Sequence, residues 1–209
     1  MAEVGTEPQD LLVAAFELVA ERGWGGFNAA LLGRRAGVPL VEVYRELPRR
    51  ASLIWALSRR ADQAMLEFDP AELEGLPPRD RVFELLMRRL DALTPFRDGL
   101  ARIERDARRA PELVLVSGCR LDRSMAWVQE AAELRSHGLR ARFARGLIAG
   151  AYLQTLRVWL TDRSADLART MAELDKQLRR IEPFAGLREP RARPFEPPEP
   201  APEPPPQPI

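Results

Sequence analysis

The 209-residue chain holds one cysteine and one histidine, and Lys176 is its only lysine. A lone cysteine, Cys119, excludes an internal disulfide and a cysteine-based zinc site. As a free cysteine it is expected inside, as a small hydrophobe. His137 stands beside Gly138 and reads as a loop or cap residue, with no second histidine to share acid–base work. Phosphate loops, metal-ligand clusters and nucleophile–base pairs are missing, which argues against an enzyme and gives no reason to expect a cofactor or metal. No apolar run approaches the ~18 residues of a membrane span. The opening Met1-Ala2-Glu3-Val4-Gly5 has neither the basic nor the apolar region of a secretion signal, so a cytoplasmic location is expected. Charge of one sign is also lacking. Basic and acidic residues number 32 and 31, so no global field draws the chain to nucleic acid or an anionic membrane.

What is present is helical. Period-two β-branched runs are absent, and almost every apolar pattern repeats at three and four residues. Nine helices are expected. The first spans about Gln9 to Arg22, with Leu12, Ala15, Phe16 and Val19 on one face and Gly23 as its stop. Asn28 caps a second over Ala29 to Ala36, closed by Gly37; a third covers Leu40 to Leu47 and halts at Pro48; a fourth runs from Ala51 to Phe68. After a loop at 69–78, a fifth is expected over Asp80 to Leu93 and a sixth ends near Arg109. Pro111 opens a seventh reaching about Leu134, Ser136 to Gly138 form a turn, and the eighth continues to about Trp159. The ninth spans Asp166 to Ile181.

Beyond Ile181 the composition changes. Residues 183–209 contain 11 of the 19 prolines, too few apolar groups to bury, and are expected to be disordered or extended. Three segments are therefore expected: an N-terminal domain over 1–66, a C-terminal helical body over 67–186, and a Pro/Glu-rich tail over 187–209.

The stretch from Gly33 to Arg50 has the skeleton of a helix-turn-helix. Ala14-Ala15-Phe16-Glu17-Leu18-Val19-Ala20-Glu21-Arg22-Gly23-Trp24, then Arg34-Arg35-Ala36-Gly37-Val38, then Val43-Tyr44-Arg45-Glu46-Leu47-Pro48-Arg49-Arg50-Ala51-Ser52-Leu53 follow in register. Over Leu11 to Leu66 the chain resembles the tetracycline-repressor (TetR) family. That resemblance implies an all-α fold, a three-helix DNA-binding domain joined to a helical ligand-binding and dimerisation bundle. It also implies that Tyr44, Arg49 and Arg50 touch phosphates, which helix N-termini and arginines suit. Pro39, Leu40, Val41 and Glu42 would occupy the base-reading end of the recognition helix, with Arg45 on the same surface. Pro39 stands where the family usually has a capping serine or threonine, and Glu46 where a histidine or tyrosine is common. Through Leu66 eight arginines face eight acids, although duplex binding rests largely on phosphate neutralisation.

A second resemblance covers about Leu139 to Glu182. Tyr152, Thr155, Trp159 and the Asp162-x-Ser164-x-Asp166 step are similar to the Coq accessory family of ubiquinone biosynthesis, which puts the repressor fold to lipid binding. The residues themselves suggest an apolar pocket between helices. Met87, Phe96, Met125, Trp127, Tyr152 and Trp159 are its candidate lining, with plain core as the other reading. Arg120 and Arg123 could orient an acidic head group, or simply pair on the surface. Leu147, Leu156, Leu167, Met171, Leu174, Leu178 and Ile181 form an apolar set expected to build a homodimer interface. Two functions follow. One is a TetR-type regulator, acting as a repressor of an operator and responding to a small apolar effector. The other is a lipid- or isoprenoid-binding accessory protein with a vestigial helix-turn-helix.

Overall fold

The computed structural model describes residues 10–107, 111–134 and 137–188. Nine α-helices are found there: α1 (Leu11–Arg22), α2 (Ala29–Ala36), α3 (Leu40–Glu46), α4 (Ser52–Leu66), α5 (Pro78–Ala92), α6 (Arg97–Asp106), α7 (Pro111–Ala131), α8 (Gly138–Thr161) and α9 (Ala168–Ala185). Short 3₁₀ turns at Pro70–Glu72 and Thr94–Phe96 join α4 to α5 and α5 to α6. No strand occurs among the described residues. The expected all-α architecture is the one observed.

Local chemistry fixes the first three helices. The Asp10 carboxylate accepts from the backbone N–H groups of Leu12 (2.9 Å) and Val13 (3.4 Å), and the Asn28 amide oxygen accepts from Ala30 (2.9 Å) and Leu31 (3.2 Å). Each satisfies donors that a helix start leaves orphaned. Gly37 ends α2 in the left-handed region at φ 69°. A Cβ on Gly33 would lie 2.9 Å from the Val38 carbonyl oxygen, so only glycine lets α2 and the turn into α3 approach this closely.

Tertiary packing then joins this unit to the rest. α1 lies along α6, where a Cβ on Gly99 would sit 2.6 Å from the Phe16 carbonyl oxygen. Phe16 meets Phe96 edge-on at 5.3 Å between centroids, and the Trp24 backbone N–H donates to Asp106 at 2.8 Å. α4 packs against both α5 and α7. One buried apolar cluster runs from Ala14 to Leu187, so the N-terminal helices share the body's core.

Several boundaries differ from expectation. α7 stops at Ala131, where Glu133 takes φ 54° and the Leu134 N–H turns back to the Gln129 carbonyl. α9 starts late because Asp162 holds the connection: its carboxylate accepts from Ser164 and from both N–H and Oγ1 of Thr170. α9 also continues through Pro183 to Ala185, closed by Gly186 at φ 70°. Leu187 beyond it is buried, the apolar contact that often accompanies a left-handed helix stop. The expected tail over 187–209 falls, apart from Leu187 and Arg188, outside the described residues. Cys119 is exposed, not buried. On α7 the inward phase is Leu113, Ser124, Met125 and Val128, and Cys119 falls on the opposite side.

Candidate DNA-facing surface and effector cavity

Two features of the fold offer chemistry: the outer face of α3 and a cavity in the helical body. Val43 is the buried anchor of α3, fully covered, so the alternate positions must face out. Leu40, Val41 and Tyr44 are more than half exposed, and Pro39, Glu42, Arg45 and Glu46 are exposed with them. Pro39 precedes α3 with no side-chain cap, consistent with its lack of a hydroxyl. The chain then turns at Pro48 and brings Arg49 and Arg50 to the start of α4, where the Arg49 N–H donates to Ser52 Oγ at 3.3 Å. Arg50 lies over the Trp24 ring. All eight residues expected on the DNA-facing surface are therefore exposed. By contrast Arg35 is committed to Glu17 and Glu21. The acids Glu42 and Glu46 are exposed, as are Arg34, Arg45, Arg49 and Arg50.

The cavity has a volume of about 380 Å3 and lies between α4, α6, α7 and α8. Its walls are largely aliphatic, with Leu57, Leu100, Ile103, Leu121, Leu156 and Leu160 prominent, and among the described residues Tyr152 is the one aromatic in the lining. Its polar end carries Ser58, Arg89, Ser117 and Arg120. Arg89 is buried and engaged through all three of its nitrogens. Nε donates to Asp62 at 3.0 Å, Nη1 donates to the Tyr152 hydroxyl, and Nη2 reaches Ser58 Oγ (3.4 Å) and Ser124 Oγ (3.3 Å). Asp62 in turn accepts from Ser124 Oγ at 2.9 Å and Ser58 Oγ at 3.4 Å. Burial opposes the Arg89 charge, but the Tyr152 oxygen and the Asp62 carboxylate outweigh it and hold the guanidinium protonated. Burial pushes the Tyr152 hydroxyl up, so it stays neutral. Four helices, α4, α5, α7 and α8, are tied together by this one network.

Similarity to solved proteins places this geometry. No family model and no curated protein matches the sequence. Among solved structures, a TetR transcriptional regulator from Nitrosomonas europaea is 25% identical, with a TM-score of 0.66 over 81% of this chain and 94% of that one. A TetR regulator from Rhodococcus sp. RHA1 is 20% identical, with a TM-score of 0.57 over 82% of this chain and 92% of that one. The chain is a TetR-like protein by fold.

Within this TetR-like frame the remaining expected site residues are placed unequally. Of the six candidate pocket residues only Tyr152 lines the cavity. Phe96, Met125 and Trp159 are buried core, Met87 is half-buried against that core, and Trp127 is 46% exposed. Aromatic and methionine content marked the core; the cavity is built from leucines. Arg120 lines it, whereas Arg123 is exposed. Leu174, Leu178 and Ile181 are buried within one protomer, where α9 packs on α8 and α5. They need no second copy to cover them. Leu147, Leu156 and Leu167 are half-buried, and Met171 is 37% exposed. The uncovered apolar side of α8 is instead Leu139, Phe143, Gly146, Gly150 and Leu153, at the spacing of one helical stripe. A Cβ on Gly146 or Gly150 would meet nothing within the protomer.

The network at Arg89 was not expected from sequence, yet a signal existed. Arg89 is in phase with Val82, Leu85, Leu86 and Leu90 on α5, and Ser58 and Asp62 with Ile54, Leu57, Ala61 and Met65 on α4. A charge on an apolar stripe must find a buried partner. No helix among the described residues is long and apolar enough to cross a membrane, and no group of three or more potential metal ligands occurs there.

Proposed function

We propose that the protein is a DNA-binding transcription regulator of the TetR type, a repressor that acts as a homodimer and releases its operator when a small apolar effector fills the cavity. The observation that carries this is the exposed α3, held in place by the tight Gly33–Gly37 turn, with Tyr44, Arg45, Arg49 and Arg50 exposed on one surface. Tyr44, Arg49 and Arg50 supply phosphate contacts, while Pro39, Leu40, Val41 and Glu42 meet base edges. The dimer forms through the exposed stripe of α8 around Phe143, Gly146 and Gly150, with Met171 of α9 beside it. Two glycines in mid-helix cost about 1 kcal/mol each relative to alanine, a cost that close approach of a second α8 offsets.

Effector binding reaches DNA through α4. Ile54, Leu57 and Ser58 line the cavity, and Arg49 and Arg50 immediately precede the same helix. A ligand that favours one position of α4 shifts the spacing of the two recognition helices by its differential affinity for the two states.

The test is titration of a duplex taken from upstream of the protein's own coding region, at several salt concentrations. Arg49→Gln and Arg50→Gln should weaken all sequences alike, and each should flatten the salt dependence by about one unit of slope. Leu40→Ala should alter sequence preference. Glu42→Gln and Glu46→Gln should raise non-specific affinity by removing repulsion from the backbone. One observation favours a second function, a lipid-binding accessory role with a vestigial helix-turn-helix. The reading end of α3 presents Leu40 at 55% and Val41 at 53% exposure, and residues 1–66 carry no net charge. No binding at low salt, with Glu46→Gln no better, would transfer the case to that role.

A further inference from the structure

The cavity's polar end is asymmetric. Arg89 spends its donors on Asp62, Tyr152, Ser58 and Ser124. Asp62 is likewise occupied, accepting from Arg89, Ser124 and Ser58. Arg120 has no such set. Among the described residues its nearest carboxylate is that same Asp62, at 3.9 Å, and its guanidinium donates no hydrogen bond. Its Nε is buried without a hydrogen-bond partner. Its side chain is only 13% exposed, stacked 4.9 Å from the centroid of the Trp55 ring. A guanidinium whose Nε is buried without a partner carries a cost, and this one lines a cavity whose remaining walls are largely aliphatic.

Charge counting points the same way. Among the described residues Arg89 and Arg120 share one carboxylate, Asp62, which leaves one of the two positive charges without an acid of its own. Among the described residues Glu104 is the one acid of the lining; it is exposed, as is Arg157, the third lining arginine. One net charge matches a monoanion, and the planar fork of arginine matches a carboxylate. The aliphatic walls match a flexible hydrocarbon body rather than a stacked aromatic one.

We propose that the ligand of this cavity is an anionic amphiphile of the fatty-acid class, its carboxylate held by Arg120 with Ser117 alongside and its hydrocarbon body among Leu100, Ile103, Leu121 and Leu156. This deepens the effector-pocket reading and rests on it. A neutral isoprenoid or alcohol would leave the Arg120 charge unanswered.

The experiment is calorimetric titration of the full chain with decanoate and with decan-1-ol, both below their aggregation concentrations. Decanoate should bind at least about tenfold more tightly, the scale of one charge-assisted hydrogen bond. Arg120→Gln should reduce decanoate affinity by about tenfold, leave decan-1-ol within about threefold, and keep the helical circular dichroism of the unmodified chain. Arg157→Gln, at the exposed lining arginine, should keep the preference. Equal affinity of the unmodified chain for the two probes, or a preference that survives Arg120→Gln, overturns the assignment and leaves the pocket standing. Disappearance of the preference in Arg157→Gln instead also overturns it. Failure of both probes to bind removes the effector pocket itself, and the head-group assignment with it.

Discussion

At the scale of single residues, two buried polar groups set the energetics. Arg89 and Asp62 are both largely hidden, and removing one partner of such a pair strands the other charge. Arg89→Met or Asp62→Leu alone should cost about 3–5 kcal/mol, while the double substitution should recover most of the loss. Urea denaturation of the three variants tests this, and an additive double mutant would contradict it. Asp162 gives the pH dependence. Hydrogen bonds from Ser164 and Thr170, working against burial, hold its carboxyl well below the usual carboxylate range. A carboxyl depressed on folding contributes stability above its unfolded pKa, and that contribution fades as pH falls through the folded value. Thermal stability should therefore drop progressively below about pH 4, with Asp162→Asn showing a shallower decline from a lower starting point. A parallel decline in both proteins would show that Asp162 is not responsible. The Asp162-x-Ser164 step was visible in sequence, but its partner Thr170 was not, since nothing local indicates that a carboxylate will reach eight residues ahead.

At the scale of elements, legibility followed the locality of the signal. The span of α2 was readable to the residue because Asn28 and Gly37 are adjacent caps whose chemistry is contained in the sequence. The ninth helix was misplaced at both ends, because Asp162 sets its start from a distance and Pro183 is tolerated where Leu187 anchors the stop. The cavity was readable only as some apolar pocket between helices. Its leucines have the same spacing as core leucines, and only the crossing of α4, α6, α7 and α8 separates lining from core. Packing between elements also makes a sharp prediction. Gly99 is where α6 meets the α1 backbone, so Gly99→Ala should destabilise by about 1–3 kcal/mol, the range for overpacking. Gly118→Ala, where a Cβ meets nothing, should be neutral or stabilising. Calorimetric melting of both variants decides it, and an unaltered Tm for Gly99→Ala would show that α1 and α6 can separate freely.

At the scale of the molecule, the two halves share one core, and the proposed effector response depends on that continuity. The N-terminal helices are fixed to the body twice, through α1 on α6 and through α4 on α5 and α7. Assembly is the next level. Phe143→Glu places a charge on the uncovered side of α8 without touching the protomer core, where Phe143 is 60% exposed. It should yield a folded monomer by light scattering at micromolar concentration, whereas the unmodified chain should be a dimer. A monodisperse monomer for the unmodified chain would refute the α8 interface. The DNA-facing role is tested most directly by the salt dependence of duplex binding. Arg49 and Arg50 from each of two protomers make four cations, and at about 0.9 counterions released per phosphate contact the slope of log affinity against log salt should be roughly −4. A slope in that region, abolished together with the dimer in Phe143→Glu, is the predicted result. A duplex that fails to bind even at low salt would contradict the regulator function outright.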